Sequence, residues 1–258
     1  MPLKNTEVNM NNFSELARLF KICNENLIHS KECMSYLNGR GICADDVKEF
    51  KIGYFPQNVN TLSKFVNKEI MLKLNIFDFN GSSFSDYYSL VFPIHDEYSR
   101  PVGISGRVVM SEDERSSLGI SKYKNSSYKK SNILFGLNKS RQHVLRSKNV
   151  FVVEGYFDYI SMIKNKIKNC VAICGTAFSS NHFTKLAKYT DQITFLLDAD
   201  DAGIISTERI YSKFSNKGIK LRFLKIDDKF KDVDEFFSNE ETSDSLWEHT
   251  TPVIPGVW

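Results

Sequence analysis

Carboxylates crowd three short stretches of this chain. Glu154 closes the apolar run 150–153, with Gly155 next and Asp158 one helical turn further on; Asp198 and Asp200 follow the apolar run 193–197; Asp227, Asp228, Asp232 and Asp234 follow 221–226. Acids gathered this way repel one another unless cations neutralise them. Oxygen donors without His or Cys suit Mg²⁺ or Mn²⁺ and not zinc. Mg²⁺ usually binds through a few carboxylates and leaves the rest of its shell to phosphates and water, so the chemistry indicated is metal-assisted reaction at phosphorus. Gly175, Thr176 and Ala177, after another apolar run, can bring backbone N–H groups close to such an anion. Taken singly, Asp201, Asp227 and Asp228 are equally well explained as helix N-caps or solvated loop charges. Glu154 with Asp198 and Asp200 is harder to dismiss, because two separate strand ends coincide and one carries a doubled acid.

The elements that must position these acids are legible from residue 149 onward. Apolar runs at 150–153, 170–174, 193–197 and 221–226 alternate with helical patterns at 156–167, 179–188, 203–214 and 233–237. Such alternation implies an α/β unit with a parallel sheet and crossover helices, whose functional groups gather at the carboxyl ends of the strands. Upstream, Phe13, Leu16, Phe20, Cys23 and Leu27 recur at helical steps, shorter helical patterns follow at 31–37 and 45–50, and glycines 39 and 41 mark the turn between them. Runs at 90–94 and 101–109 around the polar turn 96–100 indicate a hairpin. Residues 111–131 have no sustained period and read as loops, and nothing after 238 carries a usable pattern.

Charge adds a second argument. Residues 100–148 hold eleven Lys and Arg against three acids, so this segment carries +8 in a chain of net +3. That asymmetry points to an anionic partner, most simply nucleic acid. Cys23, Cys33, Cys43, Cys170 and Cys174 are odd in number, and the only close pair brackets an apolar run without further ligands, which argues against a disulfide framework and a structural zinc site. The chain has no apolar run of 18 residues and no apolar signal region at its start, so the expectation is a cytoplasmic protein with no membrane partner. No Ser-His or Cys-His pair suggests a protein nucleophile.

Together these residues carry a resemblance. Val152-Val-Glu-Gly-Tyr-Phe-Asp-Tyr-Ile, Gly175-Thr-Ala, Leu197-Asp-Ala-Asp-Asp-Ala-Gly and Asp232-Val-Asp, in this order, resemble the toprim module of bacterial and phage DnaG-type DNA primases. Tyr36-Leu-Asn-Gly-Arg-Gly-Ile and Phe50-Lys-Ile-Gly-Tyr-Phe-Pro resemble the helical start of the primase catalytic core. Phe92-Pro-Ile-His-Asp, Gly103-Ile-Ser-Gly-Arg-Val, Lys122-Tyr-Lys-Asn-Ser and Leu134-Phe-Gly-Leu resemble its basic, template-binding subdomain. The resemblance implies an α+β chain overall: a helical and basic subdomain over 1–148, a Rossmann-like toprim subdomain over 149–240 and a tail over 241–258. It implies a primase making short RNA primers on single-stranded DNA from nucleoside triphosphates by two-metal transfer, with Mg²⁺ or Mn²⁺ as cofactor.

By the same resemblance, Glu154, Asp198 and Asp200 would be the catalytic metal ligands, and Asp158, Asp232 and Asp234 the supporting acids. Arg107, Lys122, Lys124, Lys129 and Lys130 would meet template or nucleotide phosphates; Tyr123 and Tyr128 could stack on bases, though packing suits them better. Where such primases have Asp-Gly-Asp, this chain has Asp198-Ala-Asp200, which keeps both carboxylates. With no zinc ligand set and little sequence after the toprim module, the expectation is a core without zinc-binding or helicase-binding domains, served by a replicative helicase and a separate zinc-bearing template reader. The alternatives are a toprim-type metal-dependent nuclease and a non-catalytic DNA-binding accessory module of replication.

Overall fold

The computed structural model describes residues 3–78, 83–175, 177–198, 201–239 and 241–255. The chain divides into two compact units, Met1–His95 with Arg100–Tyr128, and Asp96–Ser99 with Lys129–Trp258. This division falls before the boundary at 148/149 drawn from the sequence, because Leu134, Leu137 and Val144 pack in the core of the second unit.

In the first unit, α1 (Leu3–Leu27) buries Leu16, Leu19, Phe20, Cys23 and Leu27 along one face. It is longer than its apolar period, which begins at Phe13, because its first turns carry few apolar residues to reveal them. Ser30 starts α2 (Lys31–Asn38) by accepting from the Cys33 N–H, and the Asp46 carboxylate accepts from Cys43 N–H at the start of α3 (Ala44–Phe50). β1 (Gly53–Tyr54), α4 (Val59–Leu62), α5 (Lys68–Lys73), α6 (Ser83–Asp86), β2 (Leu90–His95), β3 (Pro101–Arg107), α7 (Glu112–Ser117) and β4 (Tyr123–Asn125) follow. The strands form one antiparallel sheet in the order β1-β2-β3-β4. A Cβ on Gly53 would stand 2.5 Å from the Cys23 Cβ, so only glycine lets β1 lie this close to α1.

The hairpin read at 90–109 is β2 and β3, but the loops read at 111–131 are a correction. Ser111 caps α7 by accepting from the Glu114 N–H, and three acids in the first turn favour its positive end. β4 pairs Ser105 to Arg107 with Asn125 to Tyr123 in reverse register. Three residues are too few to show a period.

The second unit runs α8 (Leu137–Ser147), β5 (Asn149–Val153), α9 (Tyr156–Lys164), β6 (Cys170–Ala172), α10 (Ser180–Leu186), β7 (Gln192–Leu196), α11 (Asp201–Phe214), β8 (Lys220–Ile226), α12 (Val233–Ser238), α13 (Ser243–Glu248) and β9 (Thr250–Pro252). The sheet order is β6-β5-β7-β8-β9, with the first four strands parallel. The chain leaves β5 for β6 on one side and returns to β7 on the other, so the strand order reverses between β5 and β7. Val150, Val152, Ile193 and Phe195 are buried in these two strands, and they pack with Phe178, Phe183 and Phe214 from the helices and loops. The segment after 238, patternless in the sequence, contributes α13 and the antiparallel edge strand β9, which pairs Ile226 to Leu224 with Thr250 to Pro252. Among the described residues no helix is long and apolar enough to cross a membrane.

Candidate active site

Ligands bind open α/β sheets in the crevice at the carboxyl ends of the strands, where the strand order reverses. Here that crevice lies between the ends of β5 and β7, and the acids just beyond those ends are Glu154 and Asp198. One Glu154 oxygen accepts from the backbone N–H of Asp198 at 3.2 Å, so the two strand ends are tied by the side chain that the sequence singled out. The Glu154 carbonyl accepts from the Cys174 N–H at 2.8 Å and ties the end of β6 to the same point. Gly203 lies against Asp198, where a Cβ would come 2.0 Å from the Asp198 carbonyl oxygen. Glycine is required there for α11 to start directly beneath this strand end. Asp200 and Thr176 lie outside the described residues.

Asp158 and Asp234 are buried, and their bonds differ from those of an open metal ligand. The two Asp158 oxygens accept from the N–H groups of Gly155 at 2.7 Å and of Asp234 at 3.2 Å, and an Asp234 oxygen accepts from the Ser161 hydroxyl at 2.7 Å. Asp232 caps α12 by accepting from the Glu235 N–H at 2.9 Å. Of these acids, expected as supporting ligands, Asp158 and Asp234 join α9 to α12, while Asp232 caps α12. Burial above all, then the Asp232 charge and more weakly that of Asp234, pushes the Asp158 carboxyl up to about 7, against the pull of its two N–H donors.

Two anionic oxygen donors on adjacent strand ends fit a hard divalent cation such as Mg²⁺, which takes one or two carboxylates and fills the rest of its shell with water and substrate phosphate. Among the described residues no group of three or more His, Cys, Asp or Glu side chains gathers at one point.

The basic candidates divide between the units. In the first, Arg107 is buried, with its guanidinium carbon 5.3 Å from the Tyr36 ring centre and 5.0 Å from that of Tyr123, and it donates to the Tyr123 hydroxyl at 2.5 Å. Arg40 stacks on Tyr36 at 5.2 Å and donates to its hydroxyl at 2.9 Å. The result is a column of alternating cation and ring in which Arg107 is held by packing as much as by charge. Lys122 is exposed, while Lys124 lies 5.5 Å from the Phe84 ring centre. Tyr128 donates to Asn125 at 2.6 Å, so both tyrosines are engaged within the unit. In the sequence Tyr36 and Arg40 stood only within the motif Tyr36-Leu-Asn-Gly-Arg-Gly-Ile, with no role given to either.

In the second unit Lys129 is exposed and Lys130 half-buried. Their turn rests on the start of α10. The buried His182 accepts from the Ser179 N–H at 3.2 Å through Nδ1 and donates from Nε2 to the Lys130 carbonyl at 3.1 Å, a pattern that assigns the neutral tautomer protonated on Nε2. The Ser179 hydroxyl donates to the Ser131 carbonyl at 2.6 Å. Burial, with a smaller contribution from Lys185, holds His182 below its ordinary pKa despite the bond to Lys130. Sequence reasoning missed this pair; the Ser179-x-x-His182 spacing of a helix start was the signal.

Known proteins resemble the chain along most of its length. Residues 22–141 match the family described as DNA primase catalytic core, N-terminal domain, and residues 151–237 the family described as Toprim-like. The chain is 33% identical over 193 residues to the DNA primase of Chlamydia pneumoniae, an alignment that takes in 74% of this chain and 32% of that protein. The chain spans about a third of the length of the first curated relatives it matches. Among solved structures it resembles the zinc-binding and RNA polymerase domains of the Aquifex aeolicus primase, with TM-score 0.80, 25% identity and coverage of 94% of this chain and 62% of that one. It also shares its fold with a DnaG primase catalytic domain bound to ssDNA, with TM-score 0.76, 23% identity and coverage of 94% and 82%.

Proposed function

Because the chain belongs to the family of DnaG-type primase catalytic cores, we propose that it synthesises short RNA primers on single-stranded DNA by metal-assisted nucleotidyl transfer. The observation that carries this reading is the bond between Glu154 and the Asp198 N–H, which fixes two carboxylate residues side by side at the strand-order reversal. A solved relative of the same fold holds ssDNA, which supports a single strand as the template.

When bound, divalent cations would lower the pKa of the primer 3′-hydroxyl and neutralise charge on the incoming triphosphate. Glu154, Asp198 and Asp200 would hold them by their carboxylates. The chain's other residues orient this set: Gly203 lets α11 start under Asp198, and the Asp158–Asp234–Ser161 bonds anchor α9 behind Glu154. Asp158, Asp232 and Asp234 thus act in this proposal chiefly by positioning. Lys129 and Lys130, on a turn fastened to α10, and Lys122, Lys124 and Arg107 in the first unit supply positive charge for phosphates.

The test is template-directed incorporation of ribonucleotides by this chain with Mg²⁺ or Mn²⁺, starting de novo and from a supplied short primer. Incorporation that follows the template supports the reading. Loss of nucleotides from the strand without triphosphates would replace it with a nuclease, and strand binding without either reaction would replace it with an accessory binding module.

A further inference from the structure

The sheet of the second unit gathers its acids where the parallel strands end, and it gathers cations where they begin. Lys148 precedes β5, Lys166 and Lys168 precede β6, Lys188 precedes β7 and Lys220 opens β8. Among the described residues of these four strand entrances the acid is Asp191 alone. At the β5 and β6 entrances the cations surround an open cleft of about 350 Å³, lined by His143, Arg146, Ser147, Lys166, Lys168 and Asn169 and by no carboxylate. Its floor is tied down: the Asn169 amide donates to the Ser147 hydroxyl at 3.2 Å and to the Asn149 carbonyl at 3.0 Å, and the Ser147 hydroxyl donates to that carbonyl at 2.8 Å.

Two of these lysines stand at strained positions. Lys148 and Lys166 have φ of +55° and +68°, in the left-handed region where glycine or asparagine usually ends a helix. An unfavourable conformation kept by a charged side chain invites a role for that charge.

We propose that this cleft is a second nucleic-acid site, one that takes the phosphate backbone of a single strand at the end of the sheet opposite the carboxylates. The inference rests on the reading of the chain as a nucleic-acid enzyme, but not on the metal assignment. Adjacent strands lie about 4.8 Å apart, so cations at four successive entrances make a row of roughly 15 Å. A row suits a strand with repeated phosphates, where a free phosphate would need one pocket alone. Contacts of this kind hold a strand without reading its bases.

The experiment measures binding of a labelled single-stranded oligonucleotide to the full chain against salt concentration. It uses the triple variant Arg146→Ala, Lys166→Gly and Lys168→Ala, the pair Lys129→Ala and Lys130→Ala, and a charge-matched control, Lys31→Ala, Lys64→Ala and Lys68→Ala, at exposed positions of the first unit. At about 0.7 per phosphate contact, the cleft variant should flatten the log–log salt slope by roughly 2 and the control should leave it nearly unchanged. Lys166→Gly relieves a left-handed lysine, so the melting temperature should hold or rise, and lost affinity then cannot be put down to unfolding. An unchanged slope in the cleft variant, or an equal change in the control, overturns the proposal. So does loss of inorganic triphosphate binding with strand binding intact, which would make the cleft a pocket for free polyphosphate. A flattened slope in the cleft variant of a chain that incorporates no nucleotides would uphold this site while the primase reading fails. Active synthesis with an unaffected slope would do the reverse.

Discussion

Glu154 has two duties that substitution can separate: its charge faces the crevice and one of its oxygens accepts from the Asp198 N–H. Glu154→Gln keeps an acceptor for that N–H and removes the charge. Primer synthesis should fall at least about 100-fold, since electrostatic help from a held cation is worth several kcal/mol and each 1.36 kcal/mol is tenfold. Melting should change little, because one member of a repelling acid group has been neutralised. Near-normal synthesis in this variant would remove Glu154 from the metal site. His182 makes a different prediction. Its pKa is depressed in the fold, so the stability it contributes is fully present above the unfolded value near 6.5 and is lost as pH falls through the lower folded value. Protonating Nδ1 also destroys the acceptor that caps the Ser179 N–H. Thermal melts of the protein should therefore weaken on acidification in a way that His182→Gln does not repeat, and identical pH profiles would show that His182 does not titrate in this range. The contrast between the two residues explains what the sequence allowed. An acid at the end of an apolar run stands out in one dimension, whereas the role of His182 depends on the Lys130 carbonyl, 52 positions away.

Most elements with a long enough period were readable; α8, eleven residues long, is the exception, since no helical pattern was read over 137–147. The four parallel strands and their helices follow from apolar runs between amphipathic stretches, while α7, β4, α13 and β9 are at most six residues each and were not anticipated. Short pieces of this kind are fixed by partners and caps, which composition does not display. The junction of α9 and α12 is a case in point: Ser161 reaches Asp234 across 73 residues, and both groups are buried. Ser161→Ala should cost about 1.5–3 kcal/mol, the range for a hydrogen bond to a charged group, read as a lower urea midpoint at unchanged slope. Synthesis at permissive temperature should fall far less than in Glu154→Gln, because Ser161 acts on the set only through the helices it holds and touches no carboxylate at the ends of β5 or β7. β9 offers a second test. A chain ending at residue 248 would bare the outer edge of β8 while leaving the parallel core intact, and exposed edges pair with one another. Such a chain should stay folded by circular dichroism yet self-associate on sizing columns.

On the scale of the whole molecule, two separate cores divide the chain, and the charge that looked like one basic segment in the sequence is shared between them. Arg107, Lys122 and Lys124 belong to the first unit, and Lys129, Lys130, Arg141, Arg146 and Lys148 to the second. A running count of charge places +8 in residues 100–148 but cannot reveal that Lys148 joins lysines 166, 168, 188 and 220 at the entrances of parallel strands. That grouping needs the sheet order. The same order has a consequence in time. During refolding β7 and β8 can pair before β9 docks, and the outer edge of β8 finds its protein partner only when residues 250–252 reach it. Until then the chain carries a bare row of backbone donors and acceptors beside a parallel core, the kind of surface that draws other unfinished chains. Refolding from urea at rising chain concentration should therefore lose soluble protein, and Thr251→Pro, which hinders the docking of β9, should steepen that loss.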